Sequence, residues 1–151
     1  MSINPLIGSW KLVSFEIRSE DGSVSHPWGT VVTGQVIYGP EGYMAGSLMP
    51  SNRAAFASAD VMGGTASEFE AAMKSYIGYA GPYRIEGNRV FHTAVVSLFP
   101  NWTGTDIERY FSIDENFLTL STPPSIFGGN KITAALVWER LPALDAYSAD
   151  R

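Results

Sequence analysis

The chain has 151 residues, a formal net charge of −5 and no cysteine. That length makes one domain, and an apolar share of 45% is enough for a packed core. The charge argues against nucleic acid as a partner, and the missing thiols exclude a disulfide framework, a cysteine nucleophile and a thiolate metal site.

The N-terminus shows no basic segment followed by an apolar stretch, so no signal peptide is expected, and the reading is a cytoplasmic protein. No apolar run is long enough for a membrane span. Residues 8–18 read as a first strand carrying Val13, Phe15 and Ile17, closed by the turn Asp21-Gly22-Ser23. Residues 24–30, with Pro27 and Gly29, read as loop or irregular edge, and His26 falls there as a surface residue. A second strand at 31–38 ends at the turn Gly39-Pro40-Glu41-Gly42, which leads into a third from Tyr43 to Met49. Segment 50–64 is small and polar and reads as a mobile crossover.

Thr65 and Glu68 have the spacing of a capping box. Phe69, Ala72, Met73, Tyr76 and Ile77 then recur on one helical face, Glu70 and Lys74 pair outside it, and Gly78 is the expected stop. That apolar face is expected to cover a mouth or flank of the sheet. Strands resume at about 79–86, 89–99, 105–113, 116–121 and 131–140. Pro123-Pro124 and Gly128-Gly129-Asn130 bracket a loop with Ile126 and Phe127 at its tip, and residues 142–151 read as a frayed tail.

About eight strands and one short helix make an all-β, antiparallel up-and-down barrel, with the first and last strands paired so that no edge stays open. A ring of about eight strands can enclose one small ligand.

Gly8-Ser9-Trp10 near the start and Arg140 near the end resemble the G-x-W opening and terminal arginine of lipocalins. Three longer stretches, Ile37–Met44, Ser97–Thr105 and Leu118–Pro124, are similar to the bacterial and fungal lipocalin-like domain proteins. The resemblance spans about residues 6–141 and implies a calycin-type barrel with Arg140 packed over Trp10 at its floor. It leaves activity open, since some related barrels act as cyclases or isomerases.

Strand parity nominates the polar groups of an interior. Ile107, Arg109, Phe111 and Ile113 share one face, which sets a guanidinium among apolar side chains. His92 shares a face with Ala94, Val96 and Leu98. Either these two form an anion or carbonyl clamp, with His92 as general acid or base if the protein is an enzyme, or they are structural. In the structural case His92 is a hydrogen-bonded interior residue and Arg109 is paired with Glu16 or Glu108. Tyr38, Tyr43 and Trp102 are candidate ligand walls, and the methionines 44, 49, 62 and 73 could line an adaptable pocket. The two histidines lack the spacing of a zinc site, and no cofactor is implied.

The first reading is therefore a container for a small, mostly apolar organic molecule. A cofactor-free cyclase or isomerase and a structural domain with a filled barrel are the alternatives. The oligomeric state stays open between monomer and homodimer.

Overall fold

The structure, a computed structural model, describes residues 3–147. In chain order its strands are β1 (Gly8–Ser19), β2 (Val24–Ser25), β3 (Val32–Tyr38), β4 (Tyr43–Pro50), β5 (Ile77–Glu86), β6 (Arg89–Thr93), β7 (Val96–Ser97), β8 (Asp106–Asp114), β9 (Phe117–Ser121), β10 (Ser125–Phe127) and β11 (Asn130–Arg140). One helix, α1 (Ala66–Lys74), lies between β4 and β5. Among the described residues, eight strands form a closed antiparallel ring, β1-β3-β4-β5-β6-β8-β9-β11, in which β11 returns to pair with β1. The short β2, β7 and β10 hang on β1, β5 and β11 respectively. No helix among these residues is long and apolar enough to cross a membrane.

The closing seam runs from Trp10 opposite Arg140 to Ser19 opposite Ile132, with a register shift between Leu12 and Ser14. A bulge inserts one unpaired residue and so reverses which parity points inward. Trp10 and Leu12 are buried before it and Phe15 after it, while Val13 is left half exposed on the outside. A regular strand would have put Val13, Phe15 and Ile17 on one face.

The helix begins as expected. Thr65 caps the Glu68 amide at 3.1 Å, the Glu68 carboxylate accepts from the Thr65 amide at 2.9 Å, and Glu70 accepts from Lys74. It stops earlier than the periodicity predicts. The Ser75 hydroxyl donates back to the Ala71 carbonyl, and Ile77 and Gly78 already belong to β5. None of the helix's residues is buried, and none lines the principal cavity. Its Phe69 instead meets Phe56 edge-on at 5.4 Å. The segment before the helix thus supplies the apolar partner that the sheet was expected to supply.

Two strands differ from the sequence reading. The stretch 89–99 breaks into β6 and β7 around Ala94, where Val95 leaves the first ladder and donates to the Ala80 carbonyl. Gly81 makes that break feasible, since a Cβ there would collide with the Thr93 carbonyl. After the break Val96 and Leu98 are exposed, so the predicted face of His92, Ala94, Val96 and Leu98 holds only for its first two members. The expected loop tip at Ile126 and Phe127 is instead β10, which forms a tight hairpin with β11. The tail expected over 142–151 has no regular structure through Tyr147, and residues 148–151 lie outside the described residues.

Candidate functional site

One end of the barrel is sealed by its own side chains. The Arg140 guanidinium lies 4.0 Å above the Trp10 ring and donates to the Ile7 and Pro5 carbonyls. The indole N–H of Trp10 donates to the Leu6 carbonyl at 2.9 Å. Gly8, at φ 132°, takes a conformation that side-chain-bearing residues avoid, and a Cβ there would stand 2.8 Å from the Arg140 guanidinium. Tyr83 donates to the Gly39 carbonyl and accepts from Asn4 across the same end.

Above this floor lies a cavity of about 470 Å³. Its walls are the inward residues of most ring strands, among them Phe15, Val36, Met44, Ile107, Leu120 and Leu136. The size suits a small organic molecule, as does the pattern of an apolar wall with a few placed polar groups. An open chamber also counts against the filled barrel. Phe91, a large ring that could have filled it, faces outward beneath Arg84 and Arg89.

His92 sits on β6 with only 1% of its surface exposed, and it lines this chamber. Each ring nitrogen meets a phenol: Nε2 is 2.7 Å from the Tyr38 hydroxyl and Nδ1 is 2.8 Å from that of Tyr79. Burial, and then the nearby charge of Arg109, lower its pKa from 6.5 to about 3, so the imidazole is neutral at physiological pH. Burial raises both phenols, that of Tyr38 well above its ordinary value. The three rings form an uncharged unit between floor and chamber.

Arg109 takes the inward face of β8 that parity assigned to it and lines the chamber. Its guanidinium donates to the Glu108 main-chain carbonyl at 2.8 Å. The expected ion pair is absent among the described residues: the Glu108 carboxylate is held by Arg89 at 2.8 Å. Trp102 stands at the rim on a single 3-10 turn, Pro100–Trp102. It meets Phe99 and Tyr79 edge-on at 5.3 and 5.7 Å and lines the chamber.

The two tyrosines at the β3–β4 turn have opposite fates. Tyr38 pairs with Met44, and both point inward. Tyr43 is one residue out of that phase and is 64% exposed, away from the chamber. It is no wall of this cavity. Tyr38 is not a wall either, because it is packed beneath the chamber and touches it only through His92. Of the four candidate methionines, Met44 lines the chamber, while Met49, Met62 and Met73 do not.

The sequence reading does not mark Tyr79 as a site residue, and it places Trp138 on the face of Ile132, Ala134 and Leu136 without marking it as a donor. Tyr79 lies on the inward series Ile77, Tyr79, Tyr83, Ile85 of β5, a signal hidden when the helical pattern is carried through Ile77. Trp138, 3% exposed on β11, lines the chamber with an indole N–H that has no hydrogen-bond partner among the described residues.

The family model described as a lipocalin-like domain matches residues 7–141. The 4'-hydroxy-3'-methoxypropiophenone carrier protein ppsC of Aspergillus oryzae is 33% identical to the chain over 94 residues, covering 56% of this chain and 85% of that protein. No solved structure matches the chain.

Proposed function

Since this chain belongs to the lipocalin-like domain family, we propose that it binds a small, mostly apolar organic molecule inside the barrel and holds it without chemical change. The observation that carries this reading is the 470 Å³ chamber, walled by aliphatic and aromatic side chains and left unfilled by them. Burying a ligand there gains about 25 cal/mol per Å² of apolar surface removed from water. Arg109 and the His92 unit would fix its orientation, with Trp102 as a wall at the rim.

The Aspergillus oryzae relative supports a carrier role, since that protein is named as the carrier of a substituted propiophenone. The state of His92 supports holding over catalysis. A general acid needs a proton to give, and an imidazole with a pKa of about 3 has no extra proton near neutrality. Its lone pair and its N–H both face phenols already.

The test is uptake of an environment-sensitive apolar fluorophore by the purified protein. Saturable binding at one site per chain is expected, and Ala134→Phe, which pushes a ring into the chamber, should abolish it while the far-ultraviolet circular dichroism stays that of a barrel. A folded wild-type protein that takes up no apolar probe would sink the proposal.

A further inference from the structure

The polar groups of the chamber are unequal in what they can give and what they can receive. A neutral imidazole has one N–H and one bare nitrogen, and a phenol has one hydrogen to donate. Two phenols flank His92, so one of them gives its hydrogen to the bare nitrogen and the other receives the N–H. The receiving phenol keeps its own hydrogen, and neither phenol has another partner among the described residues. Left on Tyr38, that hydrogen would be sealed in the core, where an unmet donor is costly. Left on Tyr79, it sits on a residue that lines the chamber, where an occupant can accept it. Proton accounting therefore favours Tyr38 donating to Nε2 and Nδ1 donating to Tyr79.

Trp138 repeats the pattern independently. Its indole N–H can only donate, it is buried, and nothing among the described residues accepts from it. Arg109 can likewise only donate, and only one of its contacts, to the Glu108 carbonyl, is met within the protein. Three chamber residues thus hold hydrogens in reserve. No carboxylate among the described residues pairs with Arg109, and the two acidic residues that also line the chamber, Asp106 and Glu108, are already engaged by Arg84 and Arg89.

We propose that the chamber selects compounds carrying an acceptor oxygen, above all a carbonyl, on an apolar body, with the Tyr79 hydroxyl donating to that oxygen and Trp138 Nε1 and Arg109 as further donors. This rests on the chamber being a ligand site, and it adds which ligands enter. Amines of the same size are disfavoured by the Arg109 charge and gain nothing from the three donors. No bond of the guest is made or broken.

The experiment compares three guests of one shape by calorimetric titration: acetylnaphthalene, its isopropenyl isostere, which replaces the carbonyl oxygen by a methylene, and the aminoethyl counterpart. The ketone should bind at least about tenfold more tightly than the isopropenyl compound, the worth of one buried hydrogen bond that would otherwise go unmade, and the amine more weakly than both. Tyr79→Phe should shrink the ketone's advantage over the isopropenyl compound several-fold. On the wild-type protein, the infrared carbonyl stretch of the bound ketone should move to lower frequency than in hexane, a readout that needs no variant to fold. Equal affinity for ketone and isostere, or an unshifted stretch, overturns the donor assignment while the chamber remains a site. Binding of none of the three overturns the container reading and this proposal with it.

Discussion

The barrel contains two arginine–tryptophan sets, one at each level, and they are treated in opposite ways. At the floor, Arg140 covers Trp10, and the three hydrogen bonds the two donate all end on main-chain carbonyls of the N-terminal segment: Ile7, Pro5 and Leu6. In the chamber, Arg109 and Trp138 face a void, with one guanidinium contact met and the indole N–H unmet. The same two residue types therefore serve as a plug where their polar atoms are satisfied and as a reception surface where they are not. Satisfaction of donors, more than residue identity, separates structure from site in this fold.

That contrast can be broken from either side. The largest effect is expected at the floor: Trp10→Ala removes a wholly buried indole and should cost about 3–5 kcal/mol in denaturant unfolding, enough to leave much of the protein unfolded. Arg140→Ala removes the stacked guanidinium and two hydrogen bonds and should cost about 1–3 kcal/mol, with probe affinity of the folded protein unchanged.

The buried imidazole sharpens the comparison through pH. Its pKa is about 3 in the fold against an ordinary 6.5, so between these values the unfolded chain takes up a proton that the fold refuses. Stability is therefore fully present above pH 6.5 and should fall as pH drops below it, by about 1.4 kcal/mol per unit. Unfolding free energies measured from pH 6.5 to 5 isolate this group, because the carboxyls held low, such as Asp106 and Glu68, lose their contribution only at lower pH. His92→Gln should flatten the slope, and a slope equal to wild type would show that His92 is not its source.

The smallest stability effect belongs to the chamber. Arg109→Ala should shift unfolding by no more than about 0.5 kcal/mol, because no ion pair is lost. It should nevertheless weaken uptake of an apolar anionic probe such as anilinonaphthalene sulfonate about tenfold. A large loss of stability with unchanged uptake would reverse the assignment and make Arg109 another plug.

Much of the fold was legible because the barrel is a meander: apolar alternation, turn glycines and one capping box suffice when each ring strand pairs with its neighbours in sequence. Parity also set Arg109 among apolar residues, whereas for His92 both faces of its strand were apolar and parity alone did not choose between them. What escaped was whatever depends on a partner far along the chain. The bulge at Val13 arises from register against β11, and the break after Thr93 from the close approach of Gly81. Tyr38 and Tyr43 are alike in sequence, and only the pairing of Tyr38 with Met44 decides which turns inward. The role of Tyr79 and the unmet N–H of Trp138 depend on which atoms surround them after folding, and no local pattern encodes that.

The seam between β1 and β11 joins positions as distant as Trp10 and Arg140, and the Leu141 amide reaches the Ser9 carbonyl beside it. During synthesis the opening strand must wait for almost the whole ring to emerge before its second neighbour exists. Through that interval both rims of the growing sheet are bare and able to recruit another chain. Folding of this protein is accordingly gated by its last ring strand, and arrest of translation before residue 130 should yield a species that aggregates.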